Sequence, residues 1–364
     1  MSEMKMRVLL FLAAVALLPC LAACRSGAVK FDGGGSYEVT LIGDIHFDAP
    51  EYHINAYKER QAKLHFTQWR DGSSRQVLAA AARESGNVPF VVQLGDMIQG
   101  DCDNLELQGA AYQAAFAELK KHFAGKKLFA VAGNHGHRGK DRAVQAPDKY
   151  LLPLLKKELG RDVDMDGTNY AVCYGKDLYI FYDYRKKNSG EFVKKAISEY
   201  GNARHIFFLS HIPMFPCSFG NPGWVVPQFR ELIPLLAKHK AVVISAHDHS
   251  FSRIVYKCSE GTLTQINVTS MGREWKKGDL SNVRHNSFDS LKKSAPSRYF
   301  TNPRYKWSMD NLNFFKSEDF VTYRVGWLEP SGFAKLEING DKVTAHIFTD
   351  DSGKPNDSWV LKGN

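Results

Sequence analysis

Short apolar runs alternate with amphipathic stretches through most of the sequence. Five of these runs are typical of strands buried on both faces, because each is mostly apolar and ends at a turn or polar pair. They cover Tyr37 to Ile42, Val88 to Leu94, Leu128 to Ala132, Ile206 to Leu209 and Ala241 to Ser245. Helical periodicity is present at Ala110 to Phe123, Tyr150 to Leu159 and Gln228 to His239. This alternation of strands and helices predicts an α/β architecture.

The C-terminal part of the chain has a different pattern. Gly332 to Asn339 and Lys342 to Phe348 flank the turn residues Gly340 and Asp341, which predicts an antiparallel hairpin. The stretch 272–326 has weak periodicity and many aromatic residues. We therefore predict one domain, residues 37–364, that carries a long insertion at about 272–326.

The predicted insertion is rich in both basic and aromatic residues. Between Arg273 and Lys306 there are nine Lys or Arg residues against three acidic ones. Such a mixture suits a phosphate that carries a base or sugar, and uncovered loops of this length are uncommon, so we expect a lid beside the site. Arg273 and Trp275, with Trp224 from another loop, are the substrate-binding candidates. A solvated surface loop is the alternative for each individual residue.

The N-terminal segment predicts export and lipidation. Lys5 and Arg7 precede an uncharged apolar run, which is too short to span a bilayer but typical of a signal peptide. The sequence Leu-Ala-Ala before Cys24 resembles the bacterial lipobox. We therefore expect a signal peptide at residues 1–23, a lipidated Cys24 and a flexible tether over residues 24–36. A plain secretory signal is the alternative; lipidation would place the protein in the bacterial envelope, at the outer membrane and facing the periplasm or the surface.

Composition and charge narrow the class of protein. The chain is 44% hydrophobic and 24% charged, which is a globular balance and excludes a disordered or coiled-coil protein. A formal charge of +9 suits an anionic substrate but is weak support for nucleic-acid binding, so no specific nucleic-acid partner is predicted. The oligomeric state stays open. Disulfides and buried thiols both remain open for the cysteines of the body, Cys102, Cys173, Cys217 and Cys258.

Each of the five predicted strands ends at a side chain that can bind a metal. Ligands in α/β sheets bind beyond the carboxyl ends of the strands, so these side chains are expected to converge. They are Asp44, His46, Asp96, Asn134, His211, His247 and His249. Seven oxygen and nitrogen ligands suit two ions if one carboxylate bridges them. The mixture of imidazole and carboxylate suits zinc, manganese or iron.

In this order, these five blocks resemble the calcineurin-like metallophosphoesterase superfamily over residues 37–249. The resemblance implies a β-sandwich flanked by helices, with a dinuclear metal site at the carboxyl ends of strands. It assigns one metal to Asp44, His46 and His249, the other to Asn134, His211 and His247, and the bridge to Asp96. It also matches His135 to the histidine that faces the substrate phosphate and assists the leaving group.

The sequence departs from the family pattern beside His135. The family usually has an acidic residue next in the chain, where this sequence has Gly136. His137 or a more distant carboxylate is the candidate replacement.

The resemblance implies a hydrolase of phosphoesters that uses a hydroxide bridging two divalent or trivalent metal ions. The expected substrates are phosphomonoesters or phosphodiesters among small organic phosphates or nucleotides. An envelope nuclease is an alternative. A metal-bound binding protein without turnover is a weaker one, because the ligand set is intact.

Overall fold

The computed structural model describes residues 28–53, 69, 73–140, 142–160, 165–218, 222–272, 275, 280, 283–326 and 331–363. The predicted signal peptide, Cys24 and Arg273 lie outside the described residues. No helix in these ranges is both long enough and apolar enough to cross a membrane.

The strands of the described ranges belong to two β-sheets. In chain order they are β1 (Val29–Phe31), β2 (Ser36–Ile42), β3 (Phe90–Gln93), β4 (Lys127–Ala130), β5 (Tyr170–Tyr174), β6 (Asp177–Tyr182), β7 (Ile206–Ser210), β8 (Val242–Ser245), β9 (Ser252–Cys258), β10 (Gly261–Asn267), β11 (Val283–His285), β12 (Phe320–Gly326), β13 (Phe333–Asn339), β14 (Lys342–Phe348) and β15 (Asp357–Lys362).

Helices connect these strands. They are α1 (Ser73–Glu84), α2 (Leu105–His122), α3 (Leu152–Leu159), α4 (Ser189–Tyr200), α5 (Phe229–Lys238), α6 (Phe288–Ser294), α7 (Arg298–Thr301) and α8 (Lys306–Phe314). Short 3₁₀ turns lie at Pro50–Tyr52, His135–His137, Ala143–Gln145, Pro303–Tyr305 and Ser317–Asp319, and a π turn at Pro147–Leu151 leads into α3.

The two sheets each contain a block of parallel strands. One sheet has the order β1-β5-β6-β7-β8-β10-β9-β12-β11, in which β6, β7, β8 and β10 are parallel. The other has the order β15-β14-β13-β2-β3-β4, in which β2, β3 and β4 are parallel. The carboxyl ends of both blocks lead into the loops that carry the predicted ligands.

Strand β7 shows how the sheets are buried. Phe207 and Leu209 lie in the core between the two sheets, whereas Ile206 and Phe208 lie in a second core on the other face. Successive strand residues point to opposite faces, so a strand that is apolar at four successive positions must be covered on both. The second core includes Leu232 of α5, and the result is a β-sandwich flanked by helices, as expected.

All five predicted strands and the C-terminal hairpin are confirmed, with boundaries that shift by a residue or two. The α2 helix begins at Leu105 rather than Ala110, because the Asn104 side chain accepts a hydrogen bond from Leu107 N at 2.8 Å and caps the helix. Part of the 272–326 insertion is integral to the sandwich, since β12 pairs antiparallel with β9.

The tether prediction over residues 24–36 is too long. Val29 to Phe31 form a strand that pairs in parallel with β5, and Val29 is 3% exposed. Burial of this apolar residue against the sheet outweighs the flexibility that the neighbouring glycines suggest. The four cysteines of the body are all free thiols, so none of the possible disulfides forms.

Candidate dinuclear metal site

Loops from both sheets meet at one site. Asp44 and His46 follow β2, Asp96 follows β3 and Asn134 follows β4, all in the six-stranded sheet. The other sheet contributes its ligand-type side chains from the ends of β7 and β8, and these are His211, His247 and His249. The site therefore lies where the carboxyl ends of the two parallel blocks face each other.

Three of these side chains form the first half of the site. The Nε2 atoms of His46 and His249 lie 3.2 Å apart. Asp44 Oδ1 lies 3.6 Å from His249 Nε2 and 3.9 Å from His46 Nε2. Nitrogen and oxygen atoms gathered this closely form a set of ligand atoms suited to a cation.

The second half is built around His211. Its Nε2 atom lies 3.2 Å from Asp96 Oδ2, 2.9 Å from Asn134 Oδ1 and 3.2 Å from His247 Nδ1. Asp96 also groups with His46 and His135, so its carboxylate faces both halves of the site. This position is the one that a bridging ligand requires.

Backbone groups orient the ligand side chains. The His211 Nδ1–H donates to the Leu94 carbonyl at 2.9 Å, so Nε2 is left to face the site. One Asp44 oxygen, Oδ2, accepts from His247 N at 3.1 Å. The other, Oδ1, is buried and has no hydrogen-bond partner among the described residues. A carboxylate oxygen that binds a metal has no partner within the protein itself, and burial without a partner is costly. These residues therefore fit the metal ions that the sequence predicts.

The charges of the site depend on its burial. Burial raises the pKa of Asp96, but the neighbouring histidines, His211 first, outweigh it and hold that pKa well below its usual range. Burial and the charge of His211 lower the pKa of His247 to about 3. The carboxylate is therefore ionised and His247 is neutral, which are the forms that bind metals. Burial lowers the pKa of His211, but Asp96 outweighs it and raises that pKa to about 9, so this imidazole would lose a proton when a metal binds.

Four of the ligand residues have a left-handed backbone. His46, Asp96, His247 and His249 have φ between 46° and 72°. This conformation is uncommon for residues other than glycine. Hydrogen bonds hold it in place: His46 N donates to Asp96 O at 3.0 Å, and His135 N donates to Asp96 Oδ1 at 2.8 Å.

Glycines allow the close approach of the loops. A Cβ atom on Gly95, which has φ of 97°, would lie 2.3 Å from His211 Nδ1. A Cβ atom on Gly133 would lie 2.1 Å from Asp96 N. Any larger residue would therefore push the ligand loops apart.

The comparisons with known proteins agree with this geometry. The model of the calcineurin-like phosphoesterase family matches residues 37–251, which span all of the ligand-bearing loops. The chain belongs to the calcineurin-like phosphoesterase family. No sequence among the curated proteins matches the chain.

Solved structures share the fold at low sequence identity. A purple acid phosphatase from yellow lupin (Lupinus luteus) is 13% identical, with a TM-score of 0.55, over 89% of this chain and 53% of that protein. PhoD is 11% identical, with a TM-score of 0.53, over 90% of this chain and 68% of PhoD. The chain thus spans about half the length of the lupin enzyme.

The histidine that the family places beside the phosphate is held by two groups. His135 Nδ1 lies 2.8 Å from the Gln99 carbonyl, and His135 Nε2 lies 2.9 Å from Arg138 Nη1. The Gln99 carbonyl can only accept, so the imidazole donates its Nδ1–H to it. Arg138 Nη1 also lies 3.3 Å from Nδ1, so the guanidinium approaches the face of the ring rather than the in-plane lone pair of Nε2. His135 Nε2 lies 3.9 Å from Asp96 Oδ2, at the edge of the metal site.

Tyr112 explains the departure from the family at Gly136. A Cβ atom at this position would lie 1.9 Å from the Tyr112 hydroxyl oxygen. Tyr112 is 2% exposed and belongs to the core between the sheets, so it has no room to move away. The acidic residue that is usual in the family therefore cannot fit in this chain without displacing the ring or the loop.

Of the two candidate replacements for that acid, His137 contacts the backbone at Val144. Its Nδ1 atom lies 3.0 Å from the Val144 carbonyl oxygen. A more distant carboxylate, Asp101, does reach His135 indirectly, because Arg138 Nη2 donates to Asp101 Oδ2 while Nη1 contacts the imidazole. No pattern in the sequence indicates this contact.

The three substrate-binding candidates have different positions. The Trp224 ring meets the His247 ring edge to face, with centroids 4.5 Å apart, so it forms a wall of the metal site. Trp275 stacks on Phe333, with centroids 6.4 Å apart, and packs against the core between the sheets. Arg273 lies outside the described residues.

A buried thiol supports the loop that carries the last two ligands. The Cys217 Sγ–H donates to Asp248 Oδ2 at 2.8 Å, and Asp248 separates His247 from His249. Both residues are buried. This contact was missed by sequence reasoning, because Cys217 and Asp248 are far apart in the chain and neither belongs to the ligand pattern.

Proposed function

We propose that this member of the family hydrolyses phosphoesters of small organic molecules, nucleotides among them. Family membership and the candidate ligand cluster support metal-dependent phosphoester hydrolysis in general. The single observation that carries the proposal is the position of Asp96, whose carboxylate faces ligand-type side chains of both halves of the site.

The residues divide into roles by their positions. Asp44, His46 and His249 would hold one ion, and Asn134, His211 and His247 the other, with Asp96 shared between them. Two such cations, which would be manganese, zinc or iron, would supply an activated water molecule and neutralise charge on the phosphoryl oxygens. His135 is placed beside them to assist the departing oxygen.

The position of Trp224 beside the metal site favours a small substrate that carries a planar group. An aromatic ring beside a phosphate site offers a stacking surface to a base or to an aromatic alcohol, and such contacts contribute about 1–3 kcal/mol for each base. Trp224→Ala is expected to raise KM for a nucleoside phosphate more than for glycerol phosphate. An equal change for both would argue against a stacking role.

We also propose that Cys24 carries the lipid anchor, in the bacterial envelope. The β1 strand begins at Val29, so only four residues separate it from Cys24. At about 3.3–3.6 Å per residue, a fully extended link of this length spans less than roughly 20 Å. The domain would therefore be held close to the membrane surface.

A substrate panel tests the proposed function. Purified protein, reconstituted separately with manganese, zinc and iron, is assayed on a nitrophenyl phosphodiester, a nitrophenyl phosphomonoester and plasmid DNA. Turnover of a small ester that is abolished in Asp96→Asn supports the proposal. Cleavage of DNA alone would replace it with an envelope nuclease. A fully loaded protein that turns over none of the three would be a metal-bound binding protein.

The proposed role of His135 has its own test. A positioned general acid contributes about 10²–10⁴-fold, and it matters most for a poor leaving group. His135→Ala is therefore expected to lose much more activity on an alkyl phosphate than on a nitrophenyl ester, with metal content unchanged. An equal loss on both esters would mean that His135 does not protonate the leaving group.

A further inference from the structure

Arg138 and Asp101 form a linked pair beside the metal site. The Arg138 guanidinium donates through Nη2 to Asp101 Oδ2, and Asp101 N donates to the Arg138 carbonyl at 2.8 Å. The two residues are thus joined both by their side chains and by their backbones. The Asp101 side chain is 8% exposed and that of Arg138 is 43% exposed, so the carboxylate is the fixed partner and the guanidinium reaches outward.

The segment that carries Asp101 is itself fixed. Asp101 has φ of 56°, and its carbonyl lies 3.2 Å from His53 Nδ1. His53 Nε2 in turn lies 2.7 Å from Asp48 Oδ1, and both His53 and Asp48 are buried. A chain of contacts therefore runs from the interior through His53 and Asp101 to Arg138.

The end of this chain is the histidine beside the metal site. Arg138 Nη1 lies 2.9 Å from His135 Nε2 and 3.3 Å from His135 Nδ1. The neighbouring loop also packs closely against the backbone of His135. A Cβ atom on Gly100 would lie 1.9 Å from the His135 carbonyl oxygen. These contacts limit both the backbone and the ring of His135.

We propose that Arg138, anchored by Asp101, is the positioning residue of His135 and takes the place of the acidic residue that Gly136 and Tyr112 exclude. The inference rests on the proposed function, since it assigns a role within that reaction. The planar guanidinium suits the task, because it can donate to a carboxylate while it packs against an aromatic ring.

A set of variants tests this role. Arg138→Gln removes the charge and one arm of the fork, Arg138→Lys keeps the charge but not the geometry, and Asp101→Asn keeps a residue type that tolerates positive φ. A misplaced catalytic group can cost about a hundredfold. We expect losses of that order on an alkyl phosphate for Arg138→Gln, with smaller losses on a nitrophenyl ester. Lys140→Gln, an exposed neighbour, is the matched control.

Two measurements separate positioning from other roles. In a His135→Ala background, Arg138→Gln is expected to cause no further loss, because its effect passes through the imidazole. If the second substitution still costs tenfold or more, Arg138 acts on the substrate itself and the inference is wrong. The same conclusion follows if all variants lose activity equally on both esters.

The second measurement does not depend on turnover. NMR of the His135 ring protons in protein without metal should show a single ring orientation in the wild type, and exchange between orientations in Arg138→Gln. An unchanged ring in the variant would overturn the inference. A wild-type protein that has the fixed ring but hydrolyses no phosphoester would overturn the proposed function instead, so the two failures are distinguishable.

Discussion

The contact between Gly136 and Tyr112 allows a quantitative test of the local packing. Gly136→Ala places a Cβ atom 1.9 Å from the Tyr112 hydroxyl oxygen and 3.1 Å from Cζ. The first distance is impossible for two non-bonded atoms, so the loop or the buried ring must shift. Overpacking of this kind costs about 1–3 kcal/mol. Tyr112→Phe removes the oxygen and leaves the 3.1 Å contact, which a small adjustment can relieve.

A double-mutant cycle measures this coupling. The melting temperatures of the wild type, Gly136→Ala, Tyr112→Phe and the double variant are compared by calorimetry in the presence of a chelator. One kcal/mol corresponds to roughly 2–4 °C for domains of 150–250 residues, and somewhat less for a larger one. We expect Gly136→Ala to lower the melting temperature by several degrees in the wild type and by much less in the Tyr112→Phe background.

Gly34→Ala is the control for this cycle, because its added Cβ would meet only the Ser36 backbone, at ordinary contact distances of 3.5 Å from O and 3.9 Å from N. It should change the melting temperature little in either background. The packing argument would be refuted if Gly136→Ala were equally stable, or equally destabilised, with and without the Tyr112 hydroxyl. In that case another constraint would have to explain the loss of the family's acidic residue.

Three further predictions concern other parts of the molecule. Asp96→Asn should reduce the metal content from two ions to one or none without unfolding the protein, and elemental analysis showing two ions would contradict its shared role. Cys24→Ala should move the protein from the membrane to the soluble fraction, and equal fractionation of both forms would exclude the anchor. Burial lowers the pKa of His205, whose Nε2 lies 2.9 Å from Gly340 O. In the unfolded chain the His205 imidazole has a pKa of about 6.5, so the unfolded state takes up the proton first as pH falls. The free energy of unfolding therefore decreases below that pH. His205→Asn should make this loss shallower, by at most about 1.4 kcal/mol per pH unit, and an unchanged slope in urea titrations would contradict the assignment.

The convergence of the metal-capable side chains was predictable because their signal is local. Each follows a short apolar run directly, and the ends of parallel strands meet at one edge of a sheet, so position in the chain implied position in space. Asp44 and His247 show this well, since the sequence placed both at strand ends and the structure joins them by a hydrogen bond of 3.1 Å.

The surroundings of His135 were not predictable by the same means. Tyr112 lies on a helix that sequence periodicity located, but periodicity does not say which buried side chain fills the space beside a particular glycine. The contact between Arg138 and Asp101 depends on a left-handed backbone at an aspartate, which the sequence does not mark. Trp275 was expected beside the substrate because it lies in a basic stretch, yet packing against Phe333 determines its position.

Four of the ligand-type residues combine a useful side chain with a strained backbone, so activity and thermal stability favour different residues there. They are the left-handed residues His46, Asp96, His247 and His249. For side chains other than glycine this conformation costs about 1–2 kcal/mol per residue. Glycine or asparagine would relieve part of that cost while removing a ligand atom or its charge. In laboratory evolution towards heat resistance without selection for turnover, we expect these positions to be replaced early. A heat-stable variant selected in this way would keep the sandwich and lose its metals.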